Sequence, residues 1–302
     1  MTNPFHAPGE WLKGALHVHT TNSDGKLSPQ EVVDTYREAG YDFVVFTDHG
    51  RVTPPDSVQA RGIVVLGGAE ISVGRSQLGA SYHLLAVGLK DQLPAELEQA
   101  SPAEAAALLR GAGAVVYLAH PYWSLLTRDD LLAADFDGVE VFNAGCEYET
   151  RHGDASQHVD WLLARNHLPR LAAVDDSHFG FWDACGGWTM VKATDRTPAA
   201  ILDALRRGLS YASAGPTFED LQLYEDGLLV RSSPVRSIRL IRPRAGAGWT
   251  TDATYPTQPR DTTTTEAVAP TPPAGMPFRV EAVDPQGRKA WMNPMTLATD
   301  QP

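Results

Sequence analysis

Two cysteines, Cys146 and Cys185, are all the chain contains, too few for a disulfide framework, so both are expected as free thiols in a reducing compartment. Basic charge is also scarce. Twenty-five Lys and Arg stand against 37 Asp and Glu, a formal net charge of −12 at pH 7, which argues against an extended nucleic-acid footprint because that needs a basic face to neutralise phosphates. No stretch approaches the ~18 uninterrupted apolar residues of a membrane span, and residues 1–14, with Pro4, His6, Pro8 and Glu10, lack the apolar run of a secretory signal. The expectation is a cytoplasmic chain with no membrane partner. A Gly-x-Ser-x-Gly elbow is missing, as is a Gly-rich dinucleotide loop after the first strand candidate, and neither cysteine has a catalytic setting. No side-chain nucleophile is left to carry covalent chemistry.

What the chain has instead is histidine and acid placed where apolar runs end. Residues 11–18 read as a first strand leading through Leu16-His17-Val18-His19 to Asp24-Gly25. Ser28-Pro29-Gln30-Glu31 then opens a helix, with Ser28 placed to cap, Pro29 at the first helical position and Glu31 able to return a bond to the Ser28 amide. Residues 41–46 form a buried strand candidate ending at Thr47-Asp48-His49; residues 63–66 lead to Glu70, and residues 82–87 carry His83. Ser101-Pro102-Ala103-Glu104 repeats the capping box, after which residues 114–118 deliver His120-Pro121. Thr127 caps a short helix, residues 138–142 end at Asn143, a helix covers residues 157–165, and residues 171–174 end at Asp175-Asp176-Ser177-His178. Thr197-Pro198 opens one more amphipathic helix through Arg207.

Strands alternating with helices predict an α/β fold with parallel pairing, and seven strands predict a closed or nearly closed barrel whose active site lies at the C-terminal strand ends. An open doubly wound sheet is the alternative. The 302 residues divide into a barrel, residues 1–216, and a small all-β appendage, residues 217–302. In the appendage a hairpin is expected over residues 218–231, turning at Glu225-Asp226-Gly227, with strands at residues 238–241 and 278–283. Residues 243–277, rich in Thr, Pro, Gly and Ala, are expected to be a mobile or irregular excursion.

Collected, the strand-end residues are His17, His19, Asp24, His49, Glu70, His83, His120, Asp176 and His178, which take six of the ten histidines. Nine N and O ligands without a thiolate exceed the needs of one ion but suit two or three divalent cations such as Zn²⁺, Mn²⁺ or Fe²⁺. Glu70 is the candidate bridge between them. Such a centre supports hydrolysis: a water shared by two ions loses a proton near neutral pH and attacks, while the metals take up charge on substrate oxygens. Glu70, Asp176, Arg151 and His152 are the candidate catalytic residues. Arg151 and His152, after the sixth strand, either hold an anion or form a solvated pair; Arg75 and Arg128 are weaker candidates of the same kind. Asp48 and Asp175 are expected to orient imidazoles, the choice of Asp176 over Asp175 as ligand resting on Asp-x-His spacing. Glu140 and Asn143 either line the pocket or, for Asn143, terminate the strand. Tyr122 and Trp123 either wall the pocket or pack, and His6, His158 and His167 are expected at the surface.

The order His-x-His, Asp, Thr-Asp-His, Glu, His, His-Pro, Asp-x-His resembles the polymerase and histidinol phosphatase (PHP) superfamily over residues 12–216. That resemblance implies a distorted seven-stranded barrel and a two- or three-metal phosphoesterase site acting on a small phosphate ester or a nucleotide end. It would give one ion to His17, His19, Glu70 and Asp176, a second to Glu70, His83 and His120, and a third to Asp24, His49 and His178. Residues 210–216 (Ser-Tyr-Ala-Ser-Ala-Gly-Pro) and 290–294 (Ala-Trp-Met-Asn-Pro) are similar to a branch related to carbaryl hydrolase, whose members also cleave carbamate and other esters. Asp24 stands where some members carry His, implying a harder third site suited to Mn²⁺. A carbamate or carboxylic ester hydrolase is thus the second hypothesis, and a metal-holding module without turnover the third.

Overall fold

Both capping boxes form, and they set the start of the first two long helices. In the computed structural model, which describes residues 3–90, 92–224, 227–244, 248–254 and 263–297, Ser28 accepts from the Glu31 amide and Ser101 from the Glu104 amide, each with the reciprocal glutamate bond and a proline in the first turn. The chain runs β1 (Glu10–Ala15), α1 (Pro29–Glu38), β2 (Phe43–Phe46), β3 (Val64–Val73), β4 (Tyr82–Val87), α2 (Pro102–Gly111) and β5 (Val115–Leu118). It continues through α3 (Arg128–Ala133), β6 (Gly138–Asn143), α4 (Ala144–Thr150), α5 (Ser156–Leu163), β7 (Arg170–Val174), β8 (Trp188–Ala193), α6 (Pro198–Arg207) and β9 (Ser210–Ser213). The remainder is all strand: β10 (Phe218–Leu223), β11 (Leu228–Val235), β12 (Ser237–Arg244), β13 (Gly248–Thr254), β14 (Thr264–Ala269), β15 (Arg279–Val283) and β16 (Lys289–Met292).

Thirteen strands join in one sheet, in the order β13-β12-β15-β16-β9-β8-β1-β2-β3-β4-β5-β6-β7, and β10-β11-β14 form a second. Pairing is mixed, not uniformly parallel. β1, β2 and β3 pair in parallel, as do β5, β6 and β7, but β4 is antiparallel to both β3 and β5, and β8 is antiparallel to β1 and β9. The reason is connection length: a parallel return needs a crossover of a dozen or more residues, whereas β3 reaches β4 through residues 74–81 alone. β8 is a strand not anticipated from the sequence, because Trp188, Met190 and Lys192 are only half-buried between the buried Thr189, Val191 and Ala193.

No ladder closes β7 onto β8 among the described residues. The edge is instead drawn back to β1 just beyond the strand ends, where the His19 amide donates to Ser177 O (3.0 Å) and the Asp176 amide to His17 O (3.0 Å). Two fully buried aliphatic and aromatic clusters fill the curled sheet, one around Leu84, Val116, Val139 and Leu171, the other around Leu12, Phe43, Leu85 and Tyr117. Burial of these side chains, at ~25 cal/mol per Å², holds the strand ends in place. Among the described residues no helix is long and apolar enough to cross a membrane.

The tail extends the same sheet, because β16 pairs with β9. Among the described residues of 243–277, expected to be irregular, 248–254 and 264–269 form strands: β13 pairs with β12 and β14 with β11, and Ala267 and Ala269 are buried beside Leu228 and Val230. The Thr-rich composition that suggests disorder is also rich in a β-branched residue that fits a pleated surface. Residues 245–247 and 255–262 of that stretch, like Glu225 and Asp226 of the expected hairpin turn, lie outside the described residues.

His158 corrects another expectation. His6 and His167 are not buried, but His158 is only 5% exposed, its Nε2 donating to Leu126 O at 3.2 Å. It falls on the inner face of α5, and burial pushes its pKa down to about 4, outweighing the Leu126 bond. The unfolded chain therefore takes up this proton first, so the contribution to stability is full above pH ~6.5 and is lost as pH falls towards 4. We expect this residue to account for about 2 kcal/mol of lost stability between pH 7 and pH 5. Urea unfolding of His158→Gln at the two pH values should show a correspondingly smaller drop than the parent chain; equal drops would assign the acid sensitivity elsewhere.

Candidate metal centre

Four strand ends, those of β1, β2, β5 and β7, with the turns after them and β4, which carries His83, bring the imidazoles to one place. The turn that carries Asp24 depends on Gly25, since a Cβ there would stand 2.6 Å from the His19 carbonyl oxygen. His17 Nε2 lies 3.1 Å from His19 Nε2, 3.2 Å from Glu70 Oε2 and 3.2 Å from Asp176 Oδ1. His19 Nε2 lies 3.3 Å from Glu70 Oε2 and 3.1 Å from Asp176 Oδ1. Donor atoms that stand this far from one another are each about 2 Å from a common centre, the bond length of a tetrahedral Zn²⁺ site.

Glu70 also faces the neighbouring groups. Its Oε1 meets His83 Nδ1 at 2.6 Å and His120 Nε2 at 3.0 Å, and its Oε2 comes within 3.0 Å of His49 Nδ1. Further out, Asp24 lies 3.4 Å from His178 Nε2 and 3.6 Å from His49 Nε2. All nine expected residues thus fall into three groups of mutually close ligand atoms: His17, His19, Glu70 and Asp176; Glu70, His83 and His120; and His19, Asp24, His49 and His178. The first is the most buried, and the last opens to solvent, with Asp24 55% exposed.

The donor set fits cations by two independent observations. Glu70 Oε2 is buried without a hydrogen bond, which is costly unless something else satisfies it. The far ring nitrogens, in contrast, are occupied: His17 Nδ1 meets Glu140 Oε1 at 2.7 Å, His120 Nδ1 meets Ser124 Oγ at 2.9 Å, and His178 Nδ1 donates to Asp176 O at 2.9 Å. Such bonds fix the tautomer that turns a lone pair towards the centre. Burial opposes charging His17 and His19, yet the surrounding carboxylates override it: Asp176, Glu140 and Glu70 raise His17 well above the usual histidine range, and Asp176 and Glu70 push His19 up to about 9. Burial would likewise raise Glu70, but the His17 charge, the His120 bond and the close approach of His17 and His19 hold it well below the usual carboxylate range. A site that draws protons onto its imidazoles this strongly would draw divalent ions in their place.

Two of these residues have strained backbones. Asp176 (φ 55°) and His120 (φ 25°) are non-glycine residues at positive φ, a conformation costing of order 1–3 kcal/mol that persists where surrounding bonds over-determine it. Here the His120 amide donates to Glu140 Oε2 at 2.7 Å, and Asn143 Nδ2 donates to both Glu140 Oε2 (3.0 Å) and Asp176 Oδ2 (3.1 Å). Asn143 also ends its strand, accepting from the Cys146 amide to cap α4. Of the two roles considered for Asn143, strand termination holds; neither it nor Glu140 lines the cleft, and Glu140, fully buried, orients two of the candidate ligands.

Asp48 and Asp175 orient no imidazole directly. Asp48 gathers the Thr20 amide and the hydroxyls of Thr20, Ser23 and Thr53, fixing the turn after His19. Asp175 accepts from Tyr36 Oη (2.7 Å) and the amides of Cys185 and Gly187, and burial lifts its pKa to about 6 despite those bonds. The adjacent pair divides the work because successive side chains at a strand end face opposite ways. Ser124, four residues after His120, was not foreseeable from motif spacing.

The groups open into a cleft of about 360 Å³, walled by Trp123, Gly145, Cys146, Glu149, Phe181 and Asp183. Arg151 and His152 stand outside that lining: Arg151, 81% exposed, turns towards Glu147 at 3.6 Å, and His152 Nδ1 donates to Thr150 O. Arg151 is the left-handed C-cap of α4, which directs it away from the strand ends. Tyr122 packs on the rings of His152 and His158, Arg75 donates to Gly79 O, and Arg128 pairs with Asp129.

No protein-family model matches the chain. It is 25% identical over 146 residues to an uncharacterized protein of Methanocaldococcus jannaschii, covering 44% of this chain and 82% of that one. To the phosphoribosyl 1,2-cyclic phosphate 1,2-diphosphodiesterase of Eggerthella lenta it is 31% identical over 84 residues, which are 26% of this chain and only 32% of the enzyme. Among solved structures, an amidohydrolase of Chromobacterium violaceum with bound sulfate gives a TM-score of 0.43 at 18% identity, over 55% of this chain and 87% of the other. A two-domain protein of Bacteroides vulgatus containing a predicted PHP-like metal-dependent phosphoesterase gives a TM-score of 0.51 at 18% identity, over 94% of this chain and 95% of the other. That superposition covers nearly the whole length of both chains, and the likeness it shows is one of fold.

Proposed function

We propose that the chain is a metal-dependent phosphoesterase that hydrolyses a small phosphate ester, with two or three divalent ions held at the end of a distorted barrel formed by residues 1–216. The observation that carries this reading is Glu70, whose buried and unsatisfied Oε2 lies 3.0–3.3 Å from three imidazoles while its Oε1 meets two more. His17, His19, Glu70 and Asp176 would hold one ion, Glu70, His83 and His120 a second, and Asp24, His49 and His178 a third. Ions bound there would lower the pKa of water and take up charge on the ester oxygens. The chain's own part is positional. Glu140 and Ser124 keep the His17 and His120 rings aimed, Asn143 holds Asp176, and Trp123, against the His120 ring, covers one end of the cleft.

Hydrolysis of a carbamate or carboxylic ester, as in the branch related to carbaryl hydrolase, is the second reading. Its support is that no Lys or Arg lines the cleft among the described residues. Elemental analysis of the purified chain, paired with assays on an aryl phosphate and an aryl ester, decides between them. At least two transition-metal ions per chain are expected; chelation should abolish turnover on the phosphate and added Mn²⁺ or Zn²⁺ should restore it. Fewer than two ions would sink the multinuclear centre. Arg151→Ala, outside the cleft, should leave kcat/KM on both substrates within a few-fold.

A further inference from the structure

Apart from its histidines, the cleft recruits no basic side chain among the described residues, since no Lys or Arg lines it. Arg51, two residues after His49, donates to Asn22 O at 2.8 Å, and Arg151 is turned to Glu147. Neither belongs to the cleft wall, where the charged side chains outside the three candidate ligand groups are Glu149 and Asp183. Asp183 is committed, accepting from Ser177 Oγ (2.6 Å), the His178 amide (2.9 Å) and the Phe179 amide (3.2 Å). Glu149 is exposed on the last turns of α4, and no ion pair engages it among the described residues. It stands as a free negative charge at the cleft.

The rest of the wall is aromatic. Trp123 is 42% exposed and packs its ring 5.1 Å from His120 and 6.1 Å from His83, at the end of the cleft formed by the second ligand group. Phe181, 49% exposed and three residues after His178, also lines the cleft. Its neighbour Trp182 is 82% exposed, and Asp183 shapes the turn that carries both. Large apolar rings left half-bare at a polar site mark a surface that a ligand covers.

Resting on the phosphoesterase reading, we propose that the cleft takes a phosphodiester bearing an aryl or nucleobase ring, with Trp123 and Phe181 as the platforms for its substituents and Glu149 as the group that disfavours phosphomonoesters. A monoester dianion carries a second charge that an Arg fork would ordinarily take; here the uncommitted charge on the wall, Glu149, repels it. A diester has one charge fewer and one organic substituent more, and the wall supplies two apolar faces, Trp123 and Phe181. In the reaction the oxygen of water bonds to phosphorus, the P–O bond to one alcohol breaks, and the leaving oxygen takes up a proton. Water is the only co-reactant, and the product is a monoester that Glu149 helps to expel.

The test uses the holoenzyme, its metal content measured first, on bis(4-nitrophenyl) phosphate, methyl 4-nitrophenyl phosphate and 4-nitrophenyl phosphate. The parent should prefer either diester to the monoester in kcat/KM. Glu149→Gln should move the monoester-to-diester ratio three- to tenfold towards the monoester, the effect of lifting one like charge at the edge of a site. Trp123→Ala and Phe181→Ala, with metal content unchanged, should raise KM for the bis-aryl diester at least about fivefold more than for the methyl diester, the scale of one lost stacking contact. A parent that prefers the monoester, or a Glu149→Gln variant whose ratio does not move, overturns the proposal. Full metal occupancy without turnover on any of the three phosphates overturns the phosphoesterase reading itself.

Discussion

Glu70→Gln is expected to lower kcat at least about 10³-fold and to cost the chain at least one bound ion, while the circular dichroism spectrum stays that of the folded protein. The carboxylate touches all three ligand groups: Oε1 reaches His83 and His120, and Oε2 reaches His17, His19 and His49. An amide keeps the shape and one acceptor but replaces the other oxygen with a donor aimed at imidazole nitrogens whose lone pairs should face a cation. It would also remove the negative charge that ions held by adjacent ligand groups would share, leaving their repulsion unbalanced. The fold should survive, because the side chains holding the sheet together are the aliphatic and aromatic clusters beneath the strand ends and Glu70 belongs to neither. Near-normal turnover with full metal content would remove Glu70 from the centre.

The cluster of candidate ligands could be read from the sequence because its members share one simple property: each follows, or lies in, an apolar run. His17, His49, Glu70, His120 and Asp176 need only their strands to form for all to arrive at one rim, and local capping at Ser28 and Ser101 helps place those strands. What could not be read depends on partners distant in sequence. The reversal of β4 follows from a short connection that an apolar run cannot announce, and β8 escapes notice because one face is half-bare. Glu140 looks like any acid in a strand until its two oxygens are seen holding His17 and the His120 amide. Arg151 follows the sixth strand at a plausible distance, yet one left-handed residue at the helix end turns it outward. Positional logic finds what sits at a strand end; it does not find which way a helix cap points.

The tail is where a long-range polar contact should matter most for stability. Arg279, 3% exposed on β15, makes a forked contact with Asp160 of α5, Nε to Oδ1 at 2.7 Å and Nη2 to Oδ2 at 3.2 Å, and its Nη1 reaches Glu281 Oε2 at 3.2 Å. Alongside it Lys289 pairs with Asp154 at 2.7 Å and Trp291 Nε1 donates to Ser156 Oγ at 3.0 Å. Asn293 stitches the open edge, accepting from the Leu171 amide of β7 and donating to Gly208 O and Ser210 O. Removing Arg279 strands the buried carboxylate of Glu281, whose other contacts are Arg239 at 3.4 Å and Lys289 at 3.8 Å. Breaking a buried pair by deleting one partner typically costs ~3–5 kcal/mol, because the remaining charge is left without compensation. Arg279→Ala should therefore lower Tm by roughly 5–15 °C. Arg207→Ala, which breaks an exposed pair with Asp203 on α6, should cost less than about 1 kcal/mol. Arg279 contacts none of the nine ligand residues, so metal bound per folded chain should be the same in both variants; comparable stability losses for the two would show that the tail is held by its apolar cluster and not by this ion pair.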